Sequence, residues 1–337
     1  MPVDTVDLGA ADAAQRLEGS LAATGFVQLT GHGLSDPTRN EFRSVSNAFF
    51  GLDHETKAGF VHPDPLANRG YRARGSEALS YSLGEASPPD LFESFNSAPT
   101  PTDLRGHQLF QQTPWPDSVV AGFSSAAIEY YGELGALARR LDTILGEILG
   151  LPWLADRSAA GPDMLASINY RPDPDGAEQV LDGQLRMGAH SDYTSFTLLD
   201  ADPVAGLQIV APSGEWVDVI PRAGALLMNV GDVLAMYTND AWPSTLHRVV
   251  PMEAGGSPFR RSVAYFHYPD IDVEVAPLAD YSGHGEHARY DPVTVGNHLL
   301  GKLAAPKTHK AATGASTVAG RIGSAQAANS SHNPATE

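Results

Sequence analysis

The chain has 337 residues, 42% of them hydrophobic and 18% charged, which gives enough apolar material for a large core and excludes a disordered or fibrous protein. Lys+Arg 22 against Asp+Glu 40 set the formal net charge at -18, so phosphate backbones and anionic membrane surfaces are repelled and nucleic acid is not expected as a partner. The absence of cysteine excludes disulfides, thiolate metal sites and thiol nucleophiles, and leaves histidine and carboxylate as the ligands for any metal.

The start, MPVDTVDLGA, lacks the basic and apolar regions of a secretory signal, and no apolar run approaches the roughly 18 residues of a membrane span. A cytoplasmic protein is expected. Ala14, Leu17, Leu21 and Ala22 recur at helical spacing and lead into the β-rich Phe26-Val27-Gln28-Leu29, so a helix feeds a strand before the Gly-His-Gly turn at His32. A second helix is expected over Asp36 to Phe50, followed by a stretch rich in Pro, Ser and Gly, from 61 to 105, that reads as loop with short pieces of structure. From Ser118 to Gly150, apolar residues from Val120 through Tyr130 and Leu141 to Ile148 step by three and four, which predicts one or two long helices against the core.

After residue 160 the texture changes to short β-type segments separated by Gly, Pro, Asp and Asn: Met164 to Tyr170, Phe196 to Leu199, Leu207 to Val210, Trp216 to Val219, Ala225 to Val230, Val233 to Tyr237, His247 to Val250 and Ser262 to Tyr268. Their spacing implies a sandwich, jelly roll or barrel rather than a parallel α/β sheet. From Ala304 to Glu337 large apolar residues are scarce, and a disordered tail is expected.

Chemistry concentrates in two places. Residues i and i+2 of an extended segment face one side, so His190 and Asp192 present an imidazole and a carboxylate to one point, and His247 supplies a second imidazole from a later strand. Two histidines and one carboxylate leave adjacent coordination positions open, which suits non-haem Fe(II), although zinc takes the same ligand types. By the same period Arg260, Ser262, Ala264 and Phe266 share a face. An inward guanidinium beside a hydroxyl is a grip for a carboxylate, with a structural ion pair as the bland alternative.

The series His190-x-Asp192, His247, Arg260-x-Ser262 resembles the signature of the isopenicillin N synthase-like family of Fe(II)/2-oxoglutarate-dependent dioxygenases. ATGFVQLTGHGL and FFGLDHETK resemble the family's N-terminal domain, NRGYRARGSE and PDLFESFN its connecting region, and GLQIV and NVGDVLAMYTN its catalytic core, a similarity covering about residues 5 to 303. The resemblance implies a mainly β protein with flanking helices and a double-stranded β-helix (jelly-roll) core. It divides the chain into an N-terminal region, 1–110, a supporting helix, 111–160, a catalytic core, 161–303, and the tail, 304–337.

It further implies Fe(II) ligands at His190, Asp192 and His247, dioxygen and 2-oxoglutarate as co-substrates, and the distal carboxylate of 2-oxoglutarate on Arg260 and Ser262, with Asn169 and Tyr170 nearby. Many members carry Asn-x-Tyr before the HxD motif. Here Asn169-Tyr170-Arg171 puts Arg171 at the Tyr position, so either Tyr170 takes that role after a local shift or Arg171 contributes itself. Related halogenating enzymes replace the ligand carboxylate with a small residue, so Asp192 argues against halogenation and leaves hydroxylation, desaturation or cyclisation. Arg72, Tyr81, Tyr193 and Phe266 are the candidate substrate contacts, with His267 an alternative to Phe266, and the loop arginines Arg69, Arg72 and Arg74 suit an acidic small molecule. Two other readings stay open: an oxidase that uses no 2-oxoglutarate, and a non-catalytic ligand-binding protein on the same fold.

Overall fold

The short apolar segments after residue 160 fold as two facing sheets, and the longer helical patterns pack on the outside of one of them. The computed structural model describes residues 3–64, 66–84, 86–101, 107–171, 180–251, 259–282 and 288–308. In chain order the elements are β1 (Thr5–Asp7), α1 (Ala13–Thr24), β2 (Phe26–Thr30), α2 (Asp36–Phe50), α3 (His54–Ala58), β3 (Gly70–Arg72), β4 (Glu93–Ser97), α4 (Phe123–Leu149), β5 (Met164–Tyr170), β6 (Met187–His190) and β7 (Phe196–Ala201). They continue with β8 (Leu207–Val210), β9 (Trp216–Asp218), β10 (Leu226–Val230), α5 (Asp232–Tyr237), β11 (His247–Val249), β12 (Arg260–His267), β13 (Glu274–Val275), α6 (Ala279–Ser282), β14 (Val293–Thr294) and α7 (Val295–Thr308).

The major sheet has the order β1-β2-β10-β7-β12-β5-β4-β3 and the minor sheet β6-β11-β8-β9. Apart from the parallel pair β1–β2, neighbouring strands of these sheets run antiparallel. Phe26 and Leu227 from the major sheet meet Leu207, Ile209 and Val249 from the minor one, forming the apolar filling between them. This is the jelly-roll core with flanking helices.

The helices cover the other face of the major sheet. Ser35 caps α2, its hydroxyl accepting the Thr38 N–H at 3.4 Å. The buried stripe Phe42, Val45 and Phe49 then meets Phe123, Tyr130, Leu134 and Leu141 of α4 in one cluster. Tyr130 Oη and Arg39 Nη2 both donate to Asp200 of β7, at 3.0 and 2.8 Å, which ties both helices to the sheet.

One expected strand is a helix. Val233 to Tyr237 forms most of α5, because a short run that is buried all round has no periodicity by which to tell strand from helix. The Asp232 N–H donates to the Asp192 carbonyl at 2.8 Å and the Val233 N–H to the Thr194 carbonyl at 3.0 Å, so the first turn of α5 braces the segment that carries Asp192. Gly231 permits this approach, since a Cβ there would lie 2.2 Å from the Thr194 carbonyl oxygen. At the other end, α7 continues to Thr308, past the boundary at 303 where disorder is expected, and residues 309–337 of that segment lie outside those described.

A buried ionic cluster fixes the end of β12. His267 Nε2 lies 2.6 Å from Asp142 of α4, its Nδ1 lies 2.8 Å from Asp163, and Tyr265 Oη donates to Asp163 at 2.7 Å. Burial opposes the imidazolium, but the two carboxylates outweigh it and raise His267 to about 10. A raised pKa stabilises the fold fully below the unfolded value of about 6.5, and that contribution disappears as pH climbs through about 10. His267→Leu should destabilise the protein by about 3 kcal/mol or more, because two buried carboxylates lose their cation. Thermal melts from pH 6 to 10 should fall for the parent and flatten for the variant. Parallel slopes for the two proteins would remove His267 as the cause.

Candidate metal centre and co-substrate pocket

Strands β6 and β11 pair so that His190 lies opposite His247, which brings the imidazole centroids within 4.2 Å. Asp192 follows two residues after His190, and its Oδ1 lies 3.7 Å from Nε2 of each histidine. One ligand atom from each of the three residues falls within 4.8 Å of the others, and all three side chains are buried.

The surroundings prepare each residue as a ligand. His190 Nδ1 sits 2.8 Å from the Gly188 carbonyl and His247 Nδ1 sits 3.1 Å from the Thr245 carbonyl, so each Nδ1 carries the proton and each Nε2 offers its lone pair to the centre. Burial, and after it the neighbouring His247, push His190 down to about 4, which keeps it in the neutral form that binds metal. Asp192 Oδ2 accepts from Thr197 Oγ1 at 2.6 Å and from Asn229 Nδ2 at 2.7 Å. Thr197 of β7 and Asn229 of β10 are themselves cross-strand partners, so the major sheet clamps one oxygen of a carboxylate that belongs to the minor-sheet site. The other oxygen is left facing the histidines. Two neutral imidazoles and one anionic oxygen on one side are a donor set that suits Fe(II) with room for further ligands.

The second constellation lies on the inner face of the major sheet. Arg260 is 5% exposed, its Nη1 lies 3.4 Å from Ser262 Oγ, and its Nε is buried without a hydrogen-bond partner. Burial, with the charge of Arg186 as the next cause, lowers Arg260 to about 10, so it stays cationic at neutral pH. Across the β5–β12 ladder Arg260 pairs with Tyr170 and Ser262 with Ile168, so Tyr170 shares the inner face with Arg260. Asn169 pairs with Arg261 on the outer face, where its amide donates to Glu93 Oε1 at 2.9 Å. The structure therefore does not bring Asn169 into the pocket. Arg171 is exposed, with its guanidinium 5.6 Å from the centre of the Phe259 ring.

Of the substrate candidates, Phe266 lies on the inner face with Met164, Ala166 and Ala264, whereas its neighbour His267 is turned outward into the buried cluster. Tyr193 follows Asp192 directly, and Lys302 of α7 stands 5.6 Å from its ring centre. Tyr81 is half-buried in the 3-10 turn Leu79–Leu83, on which α7 packs. Arg72 is taken by Glu77 at 3.0 Å and also donates to the Ala67 carbonyl. Arg69 is buried and donates to the carbonyls of Asn68 and Leu109. The three arginines thus do not form one exposed basic loop. Thr197, Asn229, Lys302 and Arg186 escape a sequence reading because each depends on a partner more than four residues away.

A model of the 2OG-Fe(II) oxygenase superfamily matches residues 162–269, and one described as non-haem dioxygenase in morphine synthesis N-terminal matches residues 3–118. A 2-oxoglutarate-dependent dioxygenase of Dothideomycetidae sp. (strain 11243) is 32% identical over 278 residues, covering 77% of this chain and 80% of its own length. The chain belongs to the 2OG-Fe(II) oxygenase superfamily. A second relative within this superfamily, a 2-oxoglutarate-Fe(II) type oxidoreductase of Emericella nidulans, is 30% identical over 297 residues, covering 85% and 82% of the two chains. Among solved structures, a full-length Neurospora crassa protein in complex with alpha-KG and thymine superposes with a TM-score of 0.78 at 26% identity, covering 90% of this chain and 96% of that one. As an oxygenase of this superfamily the protein uses Fe(II) and 2-oxoglutarate, and the His190, Asp192 and His247 arrangement fits the iron.

The clamp on Asp192 is open to test. Asn229→Ala leaves Oδ2 with one donor and should weaken Fe(II) binding about 10- to 100-fold in a titration against a competing chelator. His190→Ala, Asp192→Ala and His247→Ala should each abolish most binding. An unchanged affinity in Asn229→Ala would show that the amide does not orient the carboxylate.

Proposed function

We propose that this oxygenase oxidises a C–H bond of a small molecule held between Phe266, Tyr193 and Tyr81, with the distal carboxylate of 2-oxoglutarate received by Arg260, Ser262 and Tyr170. The observation that carries this reading is the partition of the two sheets. The minor sheet and the residues directly after β6 supply the metal ligands, and the inner face of the major sheet supplies Arg260 and Ser262 at one end of β12 and Phe266 at the other.

When bound, iron and 2-oxoglutarate together supply an oxidant drawn from dioxygen, with succinate and carbon dioxide as by-products. The chain's own residues do the positioning. His190, Asp192 and His247 would hold the metal through Nε2, Oδ1 and Nε2, which leaves coordination positions for the reactants. Arg260 offers a planar fork, cationic at neutral pH, that a carboxylate satisfies in a site too buried for water to compete. Phe266, with Ala264 and Ala166 on the same inner face, favours a substrate with an apolar side. Arg69 and Arg72 are committed to internal partners, and Arg74 donates to the Arg171 carbonyl, so the three loop arginines give no support to an acidic substrate. The intact carboxylate at 192 favours hydroxylation, desaturation or cyclisation over halogenation.

Anaerobic addition of 2-oxoglutarate to the Fe(II) protein should produce the weak visible charge-transfer band of a chelated 2-oxo acid, and admission of dioxygen should then yield succinate. Arg260→Gln should raise the 2-oxoglutarate concentration needed by about tenfold or more, with iron binding retained. Oxygen consumption without succinate would replace this reading with that of an oxidase drawing all its electrons from the substrate.

A further inference from the structure

Arg186, just ahead of β6, is 2% exposed. Its guanidinium lies 3.8 Å from the centre of the Tyr170 ring and is hydrogen-bonded to that residue. Tyr170 is in turn the cross-strand partner of Arg260. Two buried guanidinium groups, one from each sheet, therefore meet at a single tyrosine. Arg74 lies against the same ring at 5.5 Å, and its Nη1 donates to the Arg171 carbonyl at 3.0 Å. The carboxylate that acts on Arg260 is Asp202, and Asp202 already accepts the Arg261 N–H at 2.9 Å and pairs with Arg43.

The charge of Arg186 acts on Arg260, and an anion received between two buried guanidinium groups relieves their repulsion. A carboxylate presents two oxygens with about four acceptor positions, so it can take donors from both sides at once. The geometry points to Arg186 as a second cationic anchor for the distal carboxylate of 2-oxoglutarate, held over the face of Tyr170 and meeting the ligand from the side opposite Arg260. This rests on the reading that Arg260 and Ser262 receive that carboxylate. It also gives Tyr170 a role suited to its place on the strand, since the ring orients one arginine while standing beside the other.

The test compares two co-substrates on the full-length Fe(II) protein under anaerobic conditions. 2-Oxoglutarate and 2-oxobutanoate chelate a metal through the same atoms, but only the first carries the distal carboxylate. Titration of each acid, followed by the charge-transfer band, should show Arg186→Gln weakening 2-oxoglutarate about tenfold or more while changing 2-oxobutanoate less than about twofold. Arg186→Lys keeps the charge and stem and loses the planar fork. It should show the same selectivity with a smaller loss, and it serves if the glutamine variant folds poorly.

Equal weakening of both acids would make Arg186 a structural residue and overturn the inference, as would unchanged binding of both. Arg260→Gln separates this failure from failure of the underlying reading. If Arg260→Gln discriminates between the acids and Arg186→Gln does not, only the second anchor falls. If neither variant discriminates, the pocket does not receive the distal carboxylate and both fall.

Discussion

The constraint on which the site depends is the period of two along β12. Arg260, Ser262, Ala264 and Phe266 face the inside of the jelly roll, and Arg261, Val263, Tyr265 and His267 face the helices. The outer set is bonded at several points: Arg261 to Asn47 of α2, and Tyr265 and His267 to Asp163 and Asp142. A strand held so firmly on one face cannot slip by a residue, and a one-residue slip would send Arg260 and Ser262 into the helix layer. The polar cluster beneath the sheet thus sets the height at which the carboxylate grip stands.

The metal ligands depend on the same economy across the gap between sheets. The two histidines come from neighbouring minor-sheet strands, whereas the carboxylate between them is steadied by Thr197 and Asn229 of the major sheet. The first turn of α5 adds a further brace by donating to the Asp192 backbone. Each ligand is oriented by a hydrogen bond to the atom that does not face the centre, which is the condition for a site whose geometry comes from the protein.

How much of this was legible in the sequence follows from the range of the forces involved. Spacing of two shows that His190 and Asp192 share a side and that Arg260 and Ser262 do too, because that alternation is a local property of an extended chain. The choice between Tyr170 and Arg171 is different. It depends on which residue lies opposite Arg260, and the register of two strands some ninety residues apart is fixed by packing, not by neighbours in the chain. Asn169 falls to the outer face for the same reason. Val233 to Tyr237 reads as a strand since burial on all sides erases its periodicity, and Arg186 carries no local sign of importance because its neighbours Tyr170 and Arg260 belong to other strands.

The fixed orientation of Asp192 has a consequence for which metals the protein accepts. With Oδ2 held by two neutral donors, the carboxylate offers a single oxygen and cannot swing to chelate a larger ion through both. The histidines are likewise committed to one nitrogen each. Such a face is shaped in advance of any ion and makes no geometric distinction among the divalent first-row metals of similar radius, whose intrinsic affinities rise from manganese and iron towards copper. The identity of the resident metal is therefore decided by the supply of ions around the protein and by reducing conditions that keep iron divalent. Cobalt, nickel or zinc would occupy the same three atoms and yield a folded, well-ordered and catalytically silent protein.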